Sequence, residues 1–263
     1  FSSMVRKNAR SKSPTRTKSP ARRKRDVESS SSSSRPGPFS CFQIWHLVVS
    51  VVVLGCLLPV YWHYRVHNVF NVFQFAMAFF ISLNTFICYC EMCLFFRASY
   101  IADEHEKAVK KYRGNELSAP LDWFTKPLTA ENIRSTAWAE MWSTYSVFDR
   151  VYADNISHGF WIDSGNGFCT LLPGLLLLVS MTVDVGFVTP RTVGIVSLIT
   201  FWTEFYGTVI YLAAYFYHEN QKVVGWLNTV LFVLCTNGIW FVMPLLGMKL
   251  SIDLMFSNSA LPF

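Results

Sequence analysis

Several side chains able to move a proton or hold a hydroxyl lie within apolar stretches of this chain. Glu91 precedes the run Met92-Cys-Leu-Phe-Phe96, while Glu204 is followed by Thr208 and Tyr211 at i+4 and i+7, which puts those three on one helical stripe. Asn237 and Trp240 are i,i+3 neighbours and face the same way. Asp163 closes a polar stretch at the mouth of a third apolar run, and Asp184 stands near that run's far end. Ionisable groups inside a membrane helix are costly, so each marks a candidate site. Carboxylates, an Asn and a Trp on inward faces describe a polar cavity inside an oily bundle. Such a cavity suits an amphiphile with one hydroxyl and a large apolar body. Plainer roles exist for each: Glu91 snorkels from its helix end, Asp184 marks a boundary, Asn237 joins helices for about 0.6–2 kcal/mol, and Trp240 packs.

The elements that must position these residues are long and oily. Of the 263 residues, 52% are apolar or aromatic and 15% are charged, against about 25% charged in an ordinary soluble domain. Five segments approach the roughly 20 apolar residues that a spanning helix needs: 42–62, 69–96, 168–187, 193–217 and 223–246. Aromatic and His residues crowd their ends (Trp62, His63, Tyr64; Tyr215, Tyr217, His218) as at headgroup level. The first segment does not read as a cleaved signal, because a long tail precedes it and no small-residue cleavage site follows. The fold class is therefore an all-α membrane protein, a bundle of five transmembrane helices spanning residues 39–263.

The polar linker 97–166 reads as two helices. In the first, Asp103 and Lys107, and Glu106 and Lys110, stand at i,i+4, and Gly114 ends it. Pro120 and Pro127 mark a loop, and Thr129 caps the second helix. There Ile133, Ala137, Met141, Tyr145 and Phe148 share a stripe that lies along the bilayer surface or lids the bundle. The spacing Cys88-x-Cys90-x-x-Cys93 does not put three thiols together on a helix and no His joins them, so apolar packing is expected and no metal. The sequence has no phosphate-binding loop, nucleophile elbow or His-Glu-x-x-His string, and no cofactor is expected.

Residues 1–38 hold eleven Lys/Arg against Asp26 and Glu28, together with six consecutive serines and Arg35-Pro-Gly-Pro38. The tail has almost nothing to bury and is expected to be disordered. Beside a membrane helix, such a cluster gains about 1 kcal/mol per charge from anionic headgroups. No fold or aromatic platform accompanies it, so membrane lipid rather than nucleic acid is the expected partner. Function residing in the tail, as a membrane or nuclear-envelope anchor, is a third reading of the chain. Whether the protein forms a homodimer is left open.

Three strings also resemble a known family. Trp142-Ser-Thr-Tyr145-Ser-Val-Phe-Asp149-Arg-Val-Tyr152, with Asp163 fourteen residues past Asp149, resembles a string of the emopamil-binding protein family, the sterol Δ8–Δ7 isomerases of the EXPERA fold. Tyr206-Gly-Thr-Val-Ile-Tyr211 and Asn237-Gly-Ile-Trp240-Phe-Val-Met-Pro244 are similar to two further segments of that family, in the same order. The resemblance implies a five-helix endoplasmic-reticulum protein that binds a sterol or sterol-like amphiphile. It also implies a reaction in which one group protonates a ring double bond and another removes a proton from a neighbouring carbon. Trp240 is then the aromatic face that stabilises the intervening cation, Asn237 an orienting partner, and Asp163 one carboxylate. Glu91 is the candidate second acid, and Tyr145, Glu204, Thr208 and Tyr211 are candidate substrate contacts. The chain departs from the family in its second helix. Active members carry His-x-x-x-Glu there; the apolar frame puts Ser82 and Phe86 at those places, and sliding it to use Glu91 leaves Ile87 for the His. The linker is also longer, and Asp163 stands for a Glu. A bundle that has lost the acid–base pair would be a sterol-binding or trafficking protein. The basic tail predicts a cytoplasmic N-terminus and, after five spans, a lumenal C-terminus; the resemblance implies a cytoplasmic C-terminus.

Overall fold

The structure is a computed structural model that describes residues 42–183 and 185–257. The basic tail and Asp184 lie outside the described residues. The described residues are helical, and no strand occurs among them. Helix α1 (Ile44–His67) and α2 (Val72–Phe96) form a hairpin. It turns at Asn68, whose φ of 54° is one that Asn tolerates. Asn71 then caps α2, its side chain accepting the N–H groups of Phe73 at 2.8 Å and Gln74 at 3.2 Å. Next come α3 (Ala98–Tyr112), α4 (Ser118–Phe124), α5 (Ser135–Tyr145) and a 3₁₀ turn, Arg150–Tyr152. They are followed by α6 (His158–Cys169), α7 (Leu171–Ser180), α8 (Pro190–Tyr217) and the short α9 (Asn220–Val224). The last, α10 (Trp226–Phe256), contains a π-helical turn at Thr229–Leu234.

Helices α1, α2, α8 and α10 are long and apolar enough to cross a membrane, and α6 with α7 makes a fifth if counted as one span. That fifth span differs from the expected 168–187. It starts at His158, ends at Ser180 and bends by 43° at Thr170. Two local causes account for the bend. Thr170 turns its hydroxyl back onto the Asn166 carbonyl at 3.0 Å. Pro173 then brings no N–H and crowds the carbonyl of Cys169. The early start was hidden because Asp163-Ser-Gly-Asn-Gly167 is polar and small; Ser157 caps the helix by accepting the Phe160 N–H. Asp163 is therefore inside a helix and not at its mouth. The last helix also runs ten residues past the expected limit of 246.

The linker departs from expectation in detail. Lys107 pairs with Glu104 at 2.6 Å rather than with Asp103. Pro120 lies within α4, in whose first turn a missing N–H costs nothing. Thr129 caps only a turn, accepting the Asn132 N–H at 3.2 Å, and α5 begins at Ser135. Of the proposed stripe, Ala137 and Phe148 are buried while Ile133, ahead of the helix, is exposed. The lid reading of α5 holds. Trp123 in α4 and Trp138 and Trp142 in α5 are buried, and each indole N–H has a carbonyl partner: Ala137 at 2.8 Å, Ile133 at 3.1 Å and Cys90 at 2.8 Å. The bond from Trp142 ties the lid to α2.

Helices α8 and α10 pack along most of their length. A Cβ at Gly247 would stand 2.4 Å from the Phe201 ring, and one at Gly194 would stand 2.5 Å from the Ser251 carbonyl. Only hydrogen fits at either place, which is how two spanning helices come close enough for dispersion to hold them. Two buried clusters complete the core. One, at the lid end, contains Trp123, Trp142, Tyr152 and Tyr211; the other contains Met77, Phe80, Leu177 and Leu250.

Candidate functional site

Between those clusters lies a cavity of about 460 Å³, walled by α2, α6, α8 and α10 and covered by α4 and α5. The volume falls within the roughly 300–1,000 Å³ of ordinary small-molecule sites. Its surface is mostly apolar with a few convergent polar groups.

The α2 wall supplies Glu91, which is buried and whose Oε2 has no hydrogen-bond partner. It does not snorkel. Helix α6 crosses directly over it at Gly167, where a Cβ would lie 2.8 Å from Cβ of Glu91 and 2.9 Å from the Cys88 carbonyl. Asp163 is four residues before Gly167, hence on the same face of α6, so the close contact that seats Gly167 also aims Asp163 into the cavity. Glu91 and Asp163 are close enough to repel one another when both are charged, and Tyr152 stands beside Asp163. Tyr152 is delivered by the 3₁₀ turn, which Asp149 caps by accepting the Val151 N–H at 3.2 Å. Its ring stacks on Trp142 at 4.9 Å and meets Tyr145 edge-on at 5.1 Å. Burial pushes the Asp149 carboxyl up to about 6 and the Tyr145 phenol up to about 12, and it holds the Tyr152 phenol well above its ordinary value. Both phenols stay protonated as donors across the neutral range.

The α10 wall supplies Asn237 and Trp240. Asn237 donates to the Val233 carbonyl at 2.8 Å and to the Tyr145 oxygen at 3.3 Å. The Tyr145 hydroxyl in turn donates to the Phe232 carbonyl at 2.9 Å. Phe232 sits in the π turn, whose altered register lets its carbonyl take side-chain hydroxyls from Tyr145 and Thr236. The Trp240 indole donates to Asn84 Oδ1 at 2.8 Å, and Asn84 Nδ2 donates to Glu204 Oε1 at 2.7 Å. One Asn therefore holds the indole at one end and a buried carboxylate at the other.

Of the expected site residues, Glu91, Asp163, Tyr145, Thr208, Tyr211, Asn237 and Trp240 line this one cavity. Glu204 does not line it but acts through Asn84, and Thr208 spends its hydroxyl on the Glu204 carbonyl at 2.9 Å. The Tyr211 hydroxyl and Oδ2 of Asp149 are both buried, and the hydroxyl faces that carboxyl. Sequence reasoning gave no role to Asn84 or Tyr152. Asn84 was findable: it is seven residues before Glu91, on the same face, and polar in an apolar run. Cys88, Cys90 and Cys93 are buried, with Cys88 Sγ 3.2 Å from the Thr170 hydroxyl, whereas Cys169 and Cys235 are exposed. Among the described residues, no three His, Cys, Asp or Glu side chains are placed to hold a metal.

The chain matches no protein-family model, no curated protein and no solved structure.

Proposed function

We propose that this is a multi-pass membrane protein of the endoplasmic reticulum whose cavity binds a sterol or a sterol-like amphiphile and shifts its Δ8 double bond to Δ7. The observation that carries the proposal is the meeting of Glu91 and Asp163, from different helices, at a cavity walled by Trp240. Membrane residence is supported by the spanning helices, which turn Leu54, Leu58, Trp62, Ile199, Trp202 and Val242 outward. The apolar walls fit a rigid hydrocarbon, and the Asn237–Tyr145 pair offers a hydroxyl its partners.

The chemistry follows from two carboxyl groups that cannot both bear a charge at little cost. The protonated one gives its proton to one alkene carbon, leaving a carbocation at the other. The ionised one takes a proton from the carbon next to that cation, and the double bond re-forms one position along. The proton lost balances the proton gained, and exchange between the two carboxyls or with water resets the site. A desolvated indole face stabilises the intervening cation by about 2 kcal/mol, and Asn84 and Glu204 fix the plane of that indole. The test is conversion of a Δ8 sterol by the purified protein in deuterated water. The Δ7 product with deuterium at the newly protonated carbon is expected; sterol binding with neither product nor deuterium would refute the catalytic step.

A second reading, a non-catalytic sterol carrier, is favoured by Ile87. It lines the cavity one turn before Glu91, where the resemblance implies a His. The same experiment separates the two, because a carrier binds and exchanges nothing.

A further inference from the structure

At the other end of the α1–α2 hairpin, away from the lid, lies a group of polar side chains that the cavity does not use. His63 and His67 are four residues apart on α1, so their rings lie one above the other on a single face, with centroids 4.7 Å apart. His63 is 1% exposed, and the Nε2 atoms of both rings are shut away from solvent with no hydrogen-bond partner. Gln74 in the first turn of α2 is 0% exposed, and both ends of its side-chain amide also lack a partner. Gly55 packs on Ser82, and Cys56 Sγ lies 4.0 Å from the Phe75 carbonyl. Continued along the antiparallel pair, the Gly55–Ser82 contact brings His63 level with the first turn of α2, where Gln74 sits. Buried polar groups are normally paired, so orphaned nitrogens on two stacked rings, with an unpartnered amide on the facing turn of α2, call for an occupant.

We infer that His63 and His67 chelate a divalent ion of the zinc, copper or nickel class, with Gln74 Oε1 from the facing helix as a further ligand. Two His at i,i+4 on a helix are a metal-binding arrangement, because their spacing lets both nitrogens stand about 2.0–2.1 Å from one ion. Imidazole selects these borderline ions over calcium or magnesium, which take oxygen. Arg65, which stands between them in sequence, donates to the Tyr61 hydroxyl at 2.9 Å on a neighbouring face. No third His, Cys, Asp or Glu joins the pair among the described residues. The ion is therefore exchangeable rather than locked in place.

The experiment uses the full chain in detergent, purified without a histidine tag, and titrated with Co²⁺ and Zn²⁺ by calorimetry. One equivalent is expected to bind, with affinity at least tenfold weaker in His67→Ala and several-fold weaker in Gln74→Leu. His158→Ala and His218→Ala, both remote from the pair, should leave binding unchanged. His67 is only half-buried, so its loss keeps the helix, and a matching circular dichroism melt verifies this. With Cu²⁺, electron paramagnetic resonance should count two imidazole nitrogens in the wild type and one in His67→Ala. Absence of saturable binding in the wild type, or binding that His67→Ala leaves untouched, overturns the proposal.

Discussion

Two helix pairs in this bundle are brought together by the same means and put to different ends. Helices α8 and α10 approach through Gly194 and Gly247, whose missing side chains are replaced by a backbone carbonyl and a Phe ring. Helices α2 and α6 approach through Gly167, and there the neighbour is Glu91 itself. In the first pair, close contact yields a rigid wall. In the second it seals one flank of a carboxylate against solvent, so the group has nowhere to turn except the cavity, where Asp163 arrives on the same helix face as Gly167. The device is common to both; what the glycine touches decides whether it serves architecture or chemistry.

That contrast can be broken most severely at the carboxylates. Asp163→Asn and Glu91→Gln should each lower turnover of a Δ8 sterol by about 10²–10⁴-fold while changing ligand affinity little, since shape is kept and only proton exchange is lost. A steady-state comparison of kcat with the binding constant checks this; unchanged kcat in both variants would remove the α2–α6 pair from the chemistry. Trp240→Ala should cost more than tenfold in kcat and Trp240→Phe much less, because Phe keeps an aromatic face for the cation. Equal losses would mean the indole only fills space.

The glycines sharpen the comparison further. Gly247→Ala forces the Phe201 ring aside and should lower stability in detergent by about 1–3 kcal/mol, leaving the affinity of the folded fraction as it was. Gly167→Ala should destabilise to a similar degree and, in addition, alter both affinity and kcat, because the atom it displaces belongs to Glu91. Thermal melts paired with ligand titration distinguish the two outcomes, and identical profiles would erase the difference between the pairs.

The smallest expected effect lies outside both, at Asp149. Burial raises this carboxyl from its ordinary 3.8 to about 6. The folded chain therefore holds the proton more tightly than the unfolded one. Its contribution favours the fold most below about pH 4, declines as pH rises toward 6, and is gone above that. Asp149→Asn should flatten this part of the stability profile and raise the melting temperature at pH 7 by a few degrees, provided the Val151 cap persists. A steeper profile in the variant would show that burial is not the dominant influence on Asp149.

The amino-acid sequence by itself determined the oily helical character of this chain and the positions of most of its long helices, because apolar length is a local property that needs no partner. It also marked most of the polar residues of the cavity, since a polar group in or beside an apolar run is conspicuous wherever the run ends up. It misplaced the third span for the same reason. His158, Asp163, Ser164 and Asn166 lower the local hydropathy, yet α6 includes them: Asp163 and Asn166 turn to the cavity, Ser164 is buried and His158 is exposed. The tertiary structure alone decided that Glu91 meets Asp163 and that Asn84 links Trp240 to Glu204, residues 156 and 120 positions from it in the chain. It alone decided that α5 closes the cavity through Trp142. Those outcomes depend on how closely two helices can approach and on which register a glycine or a proline permits, and such distances between remote residues are set by packing, which no local pattern encodes.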